Sequence, residues 1–386
     1  MDASRRQILQ LGALGAVGLA TGCGGSGSRA EGTSTALTPF VPDTGAGSST
    51  GLASRVAWAP TADSEFFLAL AKGMRQGAGE RGVDFVTATS GNDPARHAQQ
   101  MTGFLNKGVG AMAMQPLNPD ADTPVLRDAI DRGVCAQGII TAPSTLQVVA
   151  SQYRIGFDQG KAAADYVTSS LGGNAQVLYF NLDTVAPALR VRHDGVLAGL
   201  KTGGGGIEVV GDLTVADIST SSGFNTMMSA LQAHKDIKVV LGGDTIVVGA
   251  YKALKAAGSL RDDMFLSGVD GDSDALALVR EQGAYKLSIA FAWRLMGYGL
   301  AQYGADWILG KRVPRMMVAK GIALSSAAAV EQFQQANTDP AAAFLDRATY
   351  ESYLPLFGSV SHASRGTFWT TAVDPPKPRA TGSAAP

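Results

Sequence analysis

The stretch NLDTVAPALRVRHDGVLAGL, residues 181–200, puts Arg190, Arg192, His193 and Asp194 within five positions, just after the apolar run VLYF. A guanidinium carries five donors in a fixed fork, so an arginine at a strand end suits a ligand rich in oxygen. A plainer reading stands beside that one. Arg190 and Asp194 are spaced i, i+4 and would form a surface ion pair worth little. Arg192 points to a different side, facing solvent or paired elsewhere. His193 has no second His or Cys at metal-ligand spacing and reads as structural.

A second polar run, DGDSDALALVRE, sets Asp270, Asp272, Asp274 and Glu281 at positions 1, 3, 5 and 12 of an EF-hand calcium loop. Position 6 is Ala275, where that loop needs glycine, and ALALVRE reads directly as helix. The acids therefore cap a helix start and complement its dipole. Catalytic templates are missing from the sequence: there is no nucleophile elbow, no HExxH pair and no Walker loop. The glycines at 203–206 lack dinucleotide-fingerprint spacing. Asp183 and Asp244 can be imagined as a carboxylate pair for glycoside hydrolysis, but that chemistry depends on a separation that one sequence does not fix.

The elements that must position these groups alternate strand and helix. RVAWAP, VDFVTAT, VGAMAMQP, VCAQGII, AQVLYFNL, IEVVGDL, IKVVLGGD, MFLSGVD and AYKLSIAF are short apolar runs, with helical spacing between most of them. DPARHAQQMTGFLNKG starts with Asp93 as cap and Pro94 at the first helical position. Repeated βα units mean parallel sheets covered on both faces, and the length suits two such sheets. Residues 61–65, Gln115, Thr141, 183–190, Asp244 and Asp270 all follow carboxyl ends of apolar strands, which is where open α/β sheets bind ligands.

Composition agrees. The 386 residues are 45% hydrophobic and 17% charged, with a formal net charge of −1, and no long basic run marks a nucleic-acid partner. Two cysteines, Cys23 and Cys135, exclude a disulfide framework, and Cys135 in GVCAQGII reads as a small buried hydrophobe. The first 23 residues read as an export signal: Arg5 and Arg6 resemble a twin-arginine start, and residues 8–20 are apolar but too short to span a bilayer. ATGC resembles a lipoprotein cleavage box with Cys23 as the lipidated residue. Residues 24–54, rich in Gly, Ser, Thr and Pro, read as a flexible tether, and 372–386 as a disordered tail.

In order, VAWAP with FF, MAMQP, ALRVRHDG, VVLGGD, FLSGVDG and KLSIAF resemble the periplasmic sugar-binding proteins of bacterial ABC importers, the ribose-binding type in particular, over about residues 55–318. The resemblance implies an α/β fold of two Rossmann-like lobes, the type I periplasmic binding protein fold, joined by a three-strand hinge that closes on one sugar. The N-terminal lobe is expected over 55–153 plus 292–322, and the C-terminal lobe over 154–291 plus 323–371. By position, Phe66 and Phe67 match the pair that stacks on the sugar, Gln115 an amide on a hydroxyl, Arg190 the ligand arginine and Asp270 the hydroxyl-binding carboxylate. Asp63, Asp244 and Phe291 complete the expected ligand-binding set.

Several positions depart from the ribose-binding pattern. Gly243 and Phe291 stand in place of polar amides, Pro60 in place of a serine, and Ile140 with Thr141 in place of an acid and base pair. These changes point to a ligand with fewer hydroxyls or with an apolar part.

The function expected is that of a solute-binding lipoprotein, not an enzyme, that holds a monosaccharide or polyol and delivers it to an ABC permease. It would need no cofactor or metal, and would work outside the cytoplasm as a lipid-anchored monomer exported by the twin-arginine or general route. A secreted carbohydrate-active hydrolase or lyase and a sugar-sensing ectodomain are the competing readings.

Overall fold

The strands are nearly continuous apolar runs because helices cover both faces of their sheets. A computed structural model of the chain describes residues 38–139, 143–184 and 189–366. The first lobe opens with β1 (Arg55–Ala59), α1 (Glu65–Glu80), β2 (Asp84–Thr87) and α2 (Pro94–Lys107). It continues through β3 (Ala111–Met114), α3 (Pro119–Asp131), β4 (Cys135–Ile139) and β5 (Leu146–Val149). Asp93 caps α2 as its sequence predicts, accepting from the Arg96 amide at 3.0 Å with Pro94 in the first turn. The Cys135 side chain is buried, and burial pushes its thiol far above the ordinary range.

The second lobe starts with α4 (Gln152–Ser170), β6 (Ala175–Asn181), α5 (Arg190–Leu200) and β7 (Ile207–Thr214). Then follow α6 (Thr220–Ala233), β8 (Ile237–Leu241), α7 (Asp244–Ala256), β9 (Phe265–Asp270), α8 (Ser273–Glu281) and β10 (Tyr285–Ala290). The chain returns to the first lobe through α9 (Trp293–Ile308) and β11 (Met316–Val318), and crosses again into β12 (Ile322–Leu324). Residues 150–151, 291–292 and 319–321 are thus the three crossings of the hinge. The Ala319 amide bonds the Val149 carbonyl at 2.7 Å, tying two of them together.

Sheet order is β13-β11-β5-β4-β3-β1-β2 in the seven-stranded sheet and β12-β10-β9-β8-β6-β7 in the six-stranded one, where β13 is Leu356–Phe357. All pairs are parallel except β13 with β11 and β12 with β10. The C-terminal segment corrects the expected lobe boundary. After β12 the chain runs through α10 (Ala327–Thr338), α11 (Pro340–Leu345) and α12 (Arg347–Tyr353), and β13 then joins the first lobe's sheet. A two-residue strand leaves almost no periodic signal, so residues 323–371 do not all stay with the second lobe.

Residues 38–54 are docked on the fold, which corrects the expectation of a flexible tether over that part of 24–54. Phe40 is buried edge-on against Tyr303, with ring centroids 5.9 Å apart, and its amide bonds the Leu356 carbonyl at 3.0 Å. The Gly358 amide bonds Thr38, and Asp43 accepts from the Arg312 side chain at 2.8 Å. Phe40, with Leu52 partly buried further along the sequence, gives a largely polar segment apolar surface to bury, and backbone bonding to β13 adds to it. Residues 1–37, with Cys23 and the leader, and the tail from 367 lie outside the described residues. Among the described residues no helix is long and apolar enough to cross a membrane.

Helices α4 and α5 pack backbone to backbone. A methyl on Gly156 would run into the Arg192 carbonyl, and one on Gly195 into that of Tyr153. This contact sets how α5 is rolled about its axis. Gly156→Ala should therefore destabilise the fold by about 1 to 3 kcal/mol, the usual cost of overpacking, in urea-melt comparisons with the wild type; an unchanged melt would show that the helices separate freely.

Candidate functional site

The carboxyl ends of β1, β3, β6, β8, β9 and β10 carry most of the residues singled out from the sequence. Asp244, the first residue of α7, is fully buried. Its Oδ1 accepts from the Tyr285 hydroxyl at 2.7 Å, and its Oδ2 from the Ser288 hydroxyl at 2.7 Å and the amides of Gly271 and Asp272 at 2.7 and 3.0 Å. Burial pushes its carboxyl up and those bonds pull it back. The expectation that Asp244 touches a ligand is thereby corrected: its oxygens are already taken, and it holds the turn after β9.

That turn sets up Asp270. The residue ends β9 with φ of 119°, a left-handed conformation costly for a side chain with a Cβ, and Gly271 follows at 80°. No hydrogen bond reaches the Asp270 carboxylate among the described residues. Burial first, then the neighbouring Asp244 charge, raise its carboxyl to about 6 against the pull of Arg192. Asp272 is raised to about 7 by burial, by Asp270 and Asp244 and by Glu65, although the Thr245 hydroxyl donates to it at 2.5 Å. Helix α8 starts at Ser273, so Glu281 lies at the far end of a helix, away from the other three acids of the calcium-like run.

Aromatic rings gather beside Asp270. Phe66 is 4.6 Å from Trp293 and Phe291 is 4.6 Å from the same ring, while the Trp293 indole N–H donates to the Asp270 carbonyl at 3.1 Å. Phe67 lies against Phe66, with ring centroids 4.0 Å apart, and is the more deeply buried of the two, 5.9 Å from the Trp58 ring. Trp293 was missed although its signal was visible, an aromatic two residues past Phe291 at the very start of a helix.

At the end of β3, the Gln115 side-chain oxygen is buried without a partner among the described residues. Asp63 is exposed and accepts from the Thr89 hydroxyl at 2.9 Å. Glu65, within the 61–65 segment marked in the sequence, reaches the other lobe: its carboxylate accepts from the Ser273 amide at 3.3 Å and the Ser273 hydroxyl at 3.2 Å. A carboxylate from α1 thus sits at the N-terminus of α8, where the helix dipole favours it.

The two arginines meet different surroundings. Arg190 begins α5 with its side chain 76% exposed, and its Nε is 4.0 Å from Asp183 Oδ2; Asp194 is exposed and does not pair with it. Arg192 is the buried one, 7% exposed, with Nε and Nη2 on the Gln152 side-chain oxygen at 2.9 and 2.7 Å. It is also the cation that pulls down the Asp270 carboxyl. Ile140 and Thr141 lie outside the described residues.

The raised acids predict a pH response of the ligand-free protein. A carboxyl whose folded value exceeds its unfolded one keeps a proton that unfolding releases, so stability falls as pH rises through the window from about 4 to about 7. Thermal melts should rise on acidification within that window, and Asp270→Asn with Asp272→Asn should flatten the trend; a double variant with an unchanged slope would contradict this assignment.

Comparison with known proteins completes the picture. Residues 56–312 match the family model described as periplasmic binding protein domain. The ribose import binding protein of Bacillus subtilis is 28% identical over 268 residues, 67% of this chain and 83% of that protein. A putative rhizopine-binding protein of Rhizobium meliloti is 29% identical over 259 residues, 64% and 82% of the two chains. Among solved structures, one from Mycobacterium smegmatis in complex with β-D-fucofuranose aligns with a TM-score of 0.66 at 21% identity, covering 76% of this chain and 98% of that one. A Bacillus halodurans ABC transporter solute-binding protein with bound myo-inositol aligns at 0.62 and 19%, covering 76% and 99%. With two lobes, a three-crossing hinge and a family match over most of its folded body, the chain belongs to the periplasmic binding protein family.

Proposed function

We propose that the chain is a solute receptor that closes on a monosaccharide or polyol and passes it to an ABC permease. The observation that carries this reading is the pairing of an aromatic wall, Phe66, Trp293 and Phe291, with the unbonded Asp270 carboxylate at a strand end beside the hinge. A polyhydroxy ligand leaves water only where its hydroxyls find partners and its C–H faces find apolar cover. Asp270 accepts hydroxyls, the Gln115 side-chain oxygen accepts another, and Arg190, on the other lobe from Gln115, donates to the ligand. The relatives named above, with their ribose, fucofuranose and inositol names, support the same ligand class. So many rings and so few amides favour a ligand with an apolar face over ribose.

Closure supplies the signal. A ligand that contacts both lobes stabilises the closed form by the difference in its affinity for the two states, and a permease reads that form. The Glu65 bond to Ser273 already spans the lobes and would add to the closed state. Lipidation at Cys23 and export by the twin-arginine or general route belong to the same proposal. They place the receptor at the outer face of the cell membrane, where it works as a monomer. Its role is to hold the ligand without converting it.

Calorimetric titration of the mature protein with D-ribose, D-allose, D-fucose and myo-inositol tests the reading. One-to-one binding with the ligand recovered intact is expected, whereas product formation or silence across the panel would defeat it. Arg190→Ala should weaken binding at least about tenfold while leaving the ligand-free melt within the scatter of a surface change, about 0.5 kcal/mol. Trp293→Ala should weaken binding by a comparable factor, since a stacked ring is worth about 0.5 to 1.5 kcal/mol beyond its buried area.

A further inference from the structure

One histidine near the clamp is held in a way that dictates its charge. His193, in the first turn of α5, has Nδ1 3.1 Å from Asp183 Oδ2 and Nε2 2.7 Å from Asp212 Oδ2. A carboxylate accepts and does not donate, so a ring that faces one on each nitrogen must carry both protons. A neutral imidazole satisfies one partner and sets a lone pair against the other.

The two acids come from different places. Asp183 lies just after the end of β6, while Asp212 lies on β7, the edge strand of the six-stranded sheet. Asp212 Oδ1 accepts from the Asn181 side chain at 2.7 Å, and Asn181 in turn accepts from the Thr214 hydroxyl at 2.9 Å and the Asp183 amide at 3.3 Å. His193 is thus the cross-member between a turn and an edge strand.

Every charged or titratable neighbour can be named. On β6 the Tyr179 ring lies 5.1 Å from the imidazole, and burial pushes its phenol far out of the working range. Asp183 and Asp212 supply the negative charge. On α5, Arg190 approaches the same Asp183 oxygen at 4.0 Å from the exposed side, and Arg192 turns away to Gln152 of α4. Burial alone would depress the imidazole, but the two carboxylates outweigh it and hold the ring above the ordinary histidine value.

We propose that His193 is a positioning residue for Arg190: as an imidazolium it ties Asp183 to β7 and so fixes the carboxylate that Arg190 approaches, and loss of its proton frees Asp183 and loosens ligand binding. The proposal rests on the reading of the cleft as a sugar site only for its last step. The sign follows from the raised folded value. The tie is complete at acidic pH and is lost as pH rises through that value.

The first measurement needs no ligand. Side-chain NMR of the four histidines, assigned with His193→Gln, follows each ring from about pH 5 to about pH 9, a range that brackets the free value near 6.5. The His193 midpoint should lie above that value, the Arg190 Nε–H signal should move with the same midpoint, and Asp212→Asn should lower both. Affinity for whichever of D-allose, D-fucose or myo-inositol binds should fall about three- to tenfold across the same step, the worth of a partly exposed charged tie. His193→Gln should abolish the step in both readouts.

A His193 midpoint at or below the free value overturns the proposal. So does an Arg190 signal that ignores it, or an affinity step that survives His193→Gln. If none of the three polyols binds, the reading of the cleft fails, while the ring and Arg190 titrations still decide the role of His193.

Discussion

The buried carboxylate of Asp244 joins three elements that would otherwise be independent: the start of α7, the turn after β9, and the side chains of β10. A charged group taken out of water is tolerated only when its lone pairs are met, and four donors meet these. What the network returns is geometry. Asp270 is held in a left-handed conformation, and the carbonyl of that same residue receives the Trp293 indole at the hinge crossing. Gly268 leaves the space under the Asp244 oxygens, where a Cβ would collide with them. Asp270 and the aromatic wall therefore share one support in the Asp244 network.

Arg190 and Arg192 show a different kind of dependence. They stand roughly 200° apart around α5, so the roll of that helix decides which one turns inward. The roll is fixed by glycines in close contact with α4, where side chains would hold the helices apart. Electrostatics follow from it. The buried guanidinium sits near Asp270 and tempers its burial, and the exposed one is left near Asp183.

Much of this was legible in the sequence. The apolar runs mark the strands, the cap at Asp93 marks its helix, and the polar positions fall at strand ends because parallel sheets expose their functional groups there. Ala275 in place of glycine correctly turned a calcium-like run into a helix start. What was not legible depends on orientation or on contacts distant along the chain. No local pattern says that Phe67 faces the core, that Asp244 is consumed by Tyr285 and Ser288, or that Glu65 meets Ser273 across the lobes. The glycine-rich composition before residue 55 hides Phe40, whose partner Leu356 is more than three hundred residues away.

The docking of residues 38–54 has a mechanical consequence. Thr38, Phe40 and Asp43 fasten this segment to β13 and to Arg312, all on the seven-stranded sheet's side of the hinge. Any pull transmitted along the chain from upstream of residue 38 enters at that edge and is spent there, without passing through residues 150–151, 291–292 or 319–321. The contacts that hold residues 38–43 thus belong to the first lobe, and the hinge crossings take no part in them.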